Sequence, residues 1–368
     1  MSASRIIVTK IGTSSITDHD GTIARSAVAK LCAEVAGLHS DGHRMVVITS
    51  GAIAAGLPEL GLGGDRRPTD AATLQAVATV GQSALMMTYR EELAVHGLVA
   101  GQVLLVPLDF VVRSQYLHAR GTIGRLLDLG VVPVVNENDA IADDEIRFGD
   151  NDRLAALVAN LISADLLVLL TDTPGVLTAD PRFDSGASLI EEVAEIDQQL
   201  EARAGGAGSV RGSGGMASKL TAAKVAAWSG VATVIAQADR PDVLADAVSG
   251  TPGVGTFVRP RESRLGARKL WIAFAVGSRG RVVVDEGARR ALERGKSLLA
   301  AGVRRVEGEF YPGQPVELVD TDGVVFAKGL ARHTGAELAA VAGMRSNDLP
   351  DGAPHVVVHA DDLVILPA

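Results

Sequence analysis

The chain has few aromatic residues and almost no cysteine. Phe, Trp and Tyr together make up 3% of its 368 residues, while hydrophobic residues reach 47%. A sizeable core must therefore be built from aliphatic side chains, with Ala and Val prominent. The single cysteine, Cys32, excludes an intrachain disulfide and suits a reducing compartment. It lies in an Ala/Val/Leu run with helical spacing and reads as a small buried hydrophobe. No apolar run reaches the ~20 residues of a membrane span, and no basic segment followed by an apolar one opens the chain. A cytoplasmic location is the expectation. The eight histidines show no metal-ligand spacing such as H-E-x-x-H, and the phosphate-loop pattern G-x-x-x-x-G-K-[ST] is absent. Basic residues number 35 against 44 acidic ones, so the net charge of -9 argues against coating nucleic acid as the main task.

Charge is uneven along the chain. Residues 259–305 hold 13 basic and 4 acidic residues, a local net of +9, whereas the segments on either side are acidic. The shift follows Thr251, Pro252, Gly253 and the run VGTFVRP. It predicts a first domain over 1–258, a linker over 259–274 and a second domain over 275–368.

The first 258 residues alternate apolar strands with helical patterns. Strands are expected at 5–12, 44–50, 98–105, 131–138, 166–172 and 232–237, with helices such as 26–39, 71–96 and 114–128 between them. Continuous Val/Ile/Leu runs separated by helices imply an α/β fold, a mostly parallel sheet sandwiched by helices. After 275 the texture becomes short strands with Gly or Asp turns, as in RVVVDEG, QPVELVD and VVFAKGL, implying a small, mainly β domain.

Polar clusters follow the apolar strands, where open α/β sheets place their ligands. In TKIGTS, Lys10 stands near a strand end with Gly12 in the turn, suited to phosphate oxygens but equally to a surface lysine beside a glycine turn. In TSGAIAAG, Ser50, Gly51 and Ala52 form a strand-to-helix turn that fits an anion or a plain N-cap. In VVNENDA, Asn136, Glu137, Asn138 and Asp139 crowd one strand end. Such crowding costs folding free energy unless something binds there. It suits an amino acid ligand, with carboxylates such as Asp139 for the ammonium and amides for the α-carboxylate. Gly149, Asp150, Asn151 and Asp152 open a helical pattern, and Thr171 and Asp172 close the strand LLVLL. Finally, in VRGSGGMASKL, Gly212, Gly214 and Gly215 form a loop ahead of a helix with Lys219 in its first turn. That is a phosphate cradle or a linker.

The motifs TKIGTS, TSGAIAAG, VVNENDA, GDND, LLTDTPG, TADPR and GGMASK, in this order, resemble the amino-acid kinase family, in the branch of the glutamate 5-kinases. The tail segments SLLAAGVRRVEGEF and VVHADDLVIL resemble a PUA domain. One departure is Ser213, where the family often shows Thr; either keeps a hydroxyl. The resemblance implies an amino-acid kinase fold followed by a PUA-like domain, and ATP-dependent phosphorylation of the L-glutamate γ-carboxylate, the first step of proline biosynthesis. It implies Lys10 and Lys219 flanking the transferred phosphoryl group, with Asp152 orienting them. Ser50, Asn136, Asp139 and Asn151 would hold glutamate. Lys10, Thr171, Asp172 and the loop Ser213, Gly214, Gly215, Met216, Ala217, Ser218 and Lys219 would hold ATP. Mg2+ would bridge the phosphates with no dedicated protein cage. Homo-oligomerisation, feedback inhibition by proline and hand-off of the product to glutamyl phosphate reductase are implied as well.

A substrate carboxylate, with a pKa of about 4.3, is already ionised at neutral pH, so no general base is needed. Catalysis reduces to positioning and charge neutralisation along an in-line path. The competing class is an RNA-binding protein, motivated by the +9 stretch and the PUA-like tail; the alternative for that stretch is a solvated basic face. A further reading keeps the fold and changes the acceptor to another carboxylate or a nucleotide.

Overall fold

The computed structural model describes residues 4–110, 112–141, 151–182, 184, 186–204, 215–262, 264–275, 278–350, 353 and 355–366. The chain divides into two compact units, Met1–Arg264 and Leu265–Ala368.

The first unit is built on an eight-stranded sheet. Its strands are β1 (Ile6–Ile11), β2 (Arg44–Ile48), β3 (Val99–Leu105), β4 (Val131–Glu137), β5 (Leu166–Thr171), β6 (Glu192–Val193), β7 (Ala232–Gln237) and β8 (Gly255–Val258). The order across the sheet is β3-β4-β2-β1-β5-β7-β8-β6. Pairing is parallel except between β7 and β8. Buried on both faces, the central strands need no polar alternation, which is why β5 reads Leu-Leu-Val-Leu-Leu-Thr with every residue buried.

Helices cover both faces. They are α1 (Thr13–Ile16), α2 (Arg25–Ser40), α3 (Ala52–Glu59), α4 (Ala71–Val95), α5 (Arg113–Asp128), α6 (Asn151–Leu161), α7 (Gln198–Ala204), α8 (Met216–Trp228) and α9 (Val243–Ser249). On one face, Ile7, Ile11, Met45, Val47, Val168 and Leu170 join Leu31 and Val35 of α2 and Leu85 and Tyr89 of α4 in one core. Strand alternation sends Val8 and Lys10 to the opposite face, where α6 lies on β1 and α8 lies on β7. That alternation decides where the chemistry sits.

Helices α3 and α4 approach too closely for side chains at two points. A methyl group built on Gly81 would come 1.8 Å from the Ala52 carbonyl oxygen, and one on Gly56 would come 2.1 Å from that of Val77. The start of α4 is capped by Asp70, whose carboxylate accepts from the Thr73 amide at 2.9 Å.

Two strands of this unit escaped the sequence reading. The short β6 has too few residues for a pattern. VGTFVRP looked like a boundary, yet Gly255–Val258 forms β8, antiparallel to β7, with Gly255 opposite Ala236. Gly255 is required there, since an added Cβ would lie 2.2 Å from the Ile235 carbonyl oxygen.

The expected linker over 259–274 is instead divided between the units. Arg261 donates its amide to Ala227 and stacks its guanidinium on the Trp228 ring, 4.7 Å from the centroid, which keeps it with the first unit. Leu270, Trp271 and Ile272 are buried within the second unit, in a helical segment against its strands. The apolar run LWIAF is short and directly follows Arg268 and Lys269 in the basic stretch, so its buried role is hidden in the sequence.

The second unit carries strands β9 (Gly280–Val284), β10 (Leu298–Leu299), β11 (Val303–Glu307), β12 (Pro315–Val319), β13 (Val325–Leu330), β14 (Val356–Val358) and β15 (Leu363–Ile365). Five form a sheet in the order β11-β9-β12-β13-β15, and β10 pairs with β14. Val282, Val316, Leu318, Phe310, Phe326 and Val358 make a separate core. The basic stretch is largely ion-paired at its surface. Arg281 meets Glu317 at 3.0 Å, Arg289 meets Asp320 at 2.5 Å, Arg290 meets Glu286 at 2.7 Å and Arg304 meets Asp285 at 3.1 Å. This favours the solvated-face reading of the +9 segment. Among the described residues, no helix is long and apolar enough to cross a membrane.

Candidate active site

The site forms at the carboxyl ends of β1, β2, β4 and β5, where α6 and α8 begin. Asp152 lies in the first turn of α6, a favourable place for a carboxylate. It is fully buried. The Lys10 Nζ reaches its Oδ1 at 2.6 Å, and the Lys219 Nζ reaches its Oδ2 at 3.2 Å. The Ser218 hydroxyl donates to Oδ2 at 2.9 Å. Lys10 comes from the end of β1, while Ser218 and Lys219 come from the first turn of α8. Residues far apart in sequence are thus joined by one carboxylate.

Burial alone pushes the Asp152 carboxyl up. The Lys10 and Lys219 ammonium groups, with the Ser218 hydroxyl, more than reverse this and hold it below the usual carboxylate range. The carboxylate stays ionised at neutral pH, and two lysines against one aspartate leave the cluster with a net positive charge. Gly12 lies beside the cluster: a Cβ there would sit 3.5 Å from the Lys10 Nζ, an ordinary contact.

Next to the cluster, a second group of polar side chains is linked by amides. The Asn151 Nδ2 donates to the Thr49 carbonyl oxygen at 2.6 Å, to the Asn136 Oδ1 at 2.7 Å and to the Ser50 Oγ at 3.1 Å. The Asn136 Nδ2 in turn donates to the Gln82 Oε1 at 2.8 Å. The Thr49 hydroxyl pairs with the Tyr89 hydroxyl at 2.9 Å. Gly51, at φ +99°, makes the turn from β2 into α3, a backbone geometry that favours glycine.

Most of the expected residues meet here. Lys10, Asp152, Ser218 and Lys219 form the charged cluster, and Ser50, Asn136 and Asn151 form the amide network beside it. Asn136 joins the network through both ends of its amide, donating to Gln82 and accepting from Asn151, so in the structure it supports Asn151. The reason is its strand position, one residue before the end of β4 and nearly fully buried. Asp139 stands in the turn following β4, half-buried. Thr171 ends β5, and its hydroxyl donates to the Asp172 carboxylate at 3.1 Å. Both border a cavity of about 400 Å³ that also touches Ser14, Ser15, Lys30 and Asp239. Gly215, Met216 and Ala217 start α8. Ser213 and Gly214, like Gly149 and Asp150, lie outside the described residues.

Gln82, Thr49 and Tyr89 were missed. For Gln82 a signal existed. It lies on the apolar stripe Ala78, Gly81, Leu85, Met86 and Tyr89 of α4, where an amide needs a partner.

The Amino acid kinase family model matches residues 5–237, and the PUA domain model matches residues 280–352. A glutamate 5-kinase of Pelobacter propionicus is 42% identical over 365 residues, covering 98% of this chain and 97% of that protein. One of Ralstonia nicotianae is 45% identical over 367 residues, with coverage of 98% and 97%. One of Klebsiella pneumoniae is 43% identical over 371 residues, covering 99% of this chain and all of its own. Among solved structures, carbamate kinase from Giardia lamblia bound to AMP-PNP aligns with a TM-score of 0.50 at 19% identity. It covers 71% of this chain and all of that one, a likeness of fold.

Proposed function

The chain belongs to the amino acid kinase family, among its glutamate 5-kinases, and on that premise we propose that it transfers the γ-phosphoryl group of ATP to the γ-carboxylate of L-glutamate. The products are γ-glutamyl phosphate and ADP. The observation that carries the reading is the buried Asp152, which gathers Lys10 and Lys219 at the strand ends.

A glutamate oxygen attacks the γ-phosphorus, the bond to the bridging oxygen of ADP breaks, and ADP leaves with the electron pair. No proton moves, because the carboxylate is already ionised. The barrier is electrostatic: an anion must approach a polyanion. Lys10 and Lys219 supply preorganised positive charge beside the transferring group. Asp152 holds both ammonium groups in place and leaves them a surplus of charge. Magnesium accompanying ATP would supply further positive charge against the phosphates. Both Asp152 oxygens already face ammonium groups, so that carboxylate acts on the lysines. Ser50, Asn151 and Asp139 surround the amino-acid end of glutamate. Proline keeps the α-carboxylate and amine but lacks the γ-carboxylate, so it competes for that end without reacting.

Oxygen tracing tests the chemistry. The full chain is supplied with ATP, magnesium, excess hydroxylamine and glutamate labelled with oxygen-18 in both γ-carboxylate oxygens. Hydroxylamine attacks the acyl carbon and releases phosphate with the bridging oxygen. Each phosphate is expected to carry one heavy oxygen. Unlabelled phosphate means transfer to water and sinks the proposal.

A further inference from the structure

We propose that Gln82 is a positioning residue that turns the carbonyl end of Asn151 toward the α-ammonium group of the substrate. The inference rests on the glutamate kinase reading and extends it to specificity. Its basis is the polarity of the amide chain. An amide has one donor end and one acceptor end, and the two ends are nearly equal in shape. Only its neighbours decide which way it faces.

The Asn151 Nδ2 faces three oxygens, those of Thr49, Ser50 and Asn136. Its Oδ1 is therefore turned the other way. That oxygen is buried and has no hydrogen-bond partner among the described residues. A buried, unpaired carbonyl is costly unless a ligand donor meets it. Both carboxylates of glutamate only accept hydrogen bonds. Its α-ammonium is the sole strong donor, so it is the group that fits this oxygen.

Two of the three oxygens that fix Asn151 have different rigidity. The Thr49 carbonyl is backbone, held in the sheet. The Asn136 oxygen belongs to a side-chain amide that is free to turn over unless something distinguishes its ends. Gln82 does so, because its Oε1 accepts from the Asn136 Nδ2 at 2.8 Å. Without that acceptor, the buried Asn136 donor is left unpaired and the amide turns to find another. Its Nδ2 then confronts the Asn151 Nδ2, donor against donor, and Asn151 is driven from the orientation that presents its oxygen. Gln82 thus reads the amino group through two intermediate amides without touching it.

The test compares glutamate with glutarate, which has the same two carboxylates and no amino group. Dissociation constants for both are measured by calorimetry on the full chain and on Gln82→Met and Gln82→Asn. Methionine keeps the length and loses the amide oxygen, whereas asparagine keeps an amide too short to reach. Wild type is expected to favour glutamate over glutarate by about tenfold or more, the scale of a hydrogen bond to a charged group. Both variants are expected to lose most of that preference, with affinity for ATP within about twofold of wild type. A purely structural role weakens glutamate and glutarate alike. An unchanged preference in a folded variant, no preference in wild type, or failure of both variants to fold overturns the inference. Wild type without glutamate-dependent acyl phosphate overturns instead the kinase reading beneath it.

Discussion

At the residue scale, the site is an electrostatic device held by one buried carboxylate. Lys10 and Lys219 are each nearly fully buried, which is tolerable only because Asp152 pairs with both at 2.6 and 3.2 Å. In the proposed reaction this arrangement would place positive charge where negative charge shifts during phosphoryl transfer. Lys10→Ala and Lys219→Ala are therefore expected to lower kcat by about 100-fold or more, with a smaller rise in KM for glutamate. Steady-state kinetics decide it, and a near-normal kcat in a folded variant removes that lysine from the reaction. The acid limb follows from the same contacts. The folded pKa of Asp152 is depressed, so its contribution to stability is fully present above the unfolded value of about 3.9 and is lost only as pH falls through the lower folded value. At neutral pH the carboxylate is ionised in both states and the cluster is intact. Cys32 belongs to the core and not to the chemistry: burial pushes its thiol up to about 12.

At the scale of elements, the position of each group follows from periodicity. Alternation along β1 puts Ile7 and Ile11 into one core and Lys10 onto the opposite face, under α6. The first turns of α6 and α8 deliver Asp152 and Lys219 to the same place. These features were legible, because apolar strands ending in Lys, Asn or Asp stand out against Val and Leu. The amide chain was not. Whether Asn136 points to a ligand or to Gln82, 54 residues away, depends on tertiary packing that no local pattern encodes. Nor was β8, since four residues beside Pro and Gly read as a turn. The contact between α3 and α4 is a further consequence of sequence, through Gly56 and Gly81. Gly81→Ala is expected to destabilise the first unit by roughly 1–3 kcal/mol, because the new methyl group meets backbone that cannot move aside. Thermal or denaturant unfolding checks this, and a Tm equal to wild type contradicts the tight helix crossing. Since α3 begins at Gly51 and α4 carries Gln82, the same variant is expected to raise KM for glutamate.

At the scale of the whole molecule, the candidate site belongs to one of two units. Every residue assigned to the charged cluster and the amide network lies in Met1–Arg264, whereas Leu265–Ala368 has its own sheet and core. The fold class of both was readable from strand texture, long buried runs before 258 and short strands with Gly and Asp turns after 275. The exact division was not, because the charged segment near 259–274 hides the buried Leu270, Trp271 and Ile272 of the second unit. The central claim for the molecule is that this site phosphorylates glutamate. The most direct measurement is kcat/KM on the full chain with magnesium and ATP, for glutamate, aspartate, N-acetylglutamate and UMP. Hydroxylamine captures acyl phosphate from the three carboxylates, and ADP release reports transfer to UMP. Glutamate is predicted to lead every other acceptor by about tenfold or more, the scale of a missing methylene or an unpaired buried polar group. An aspartate, N-acetylglutamate or UMP value equal to or above that of glutamate contradicts the account.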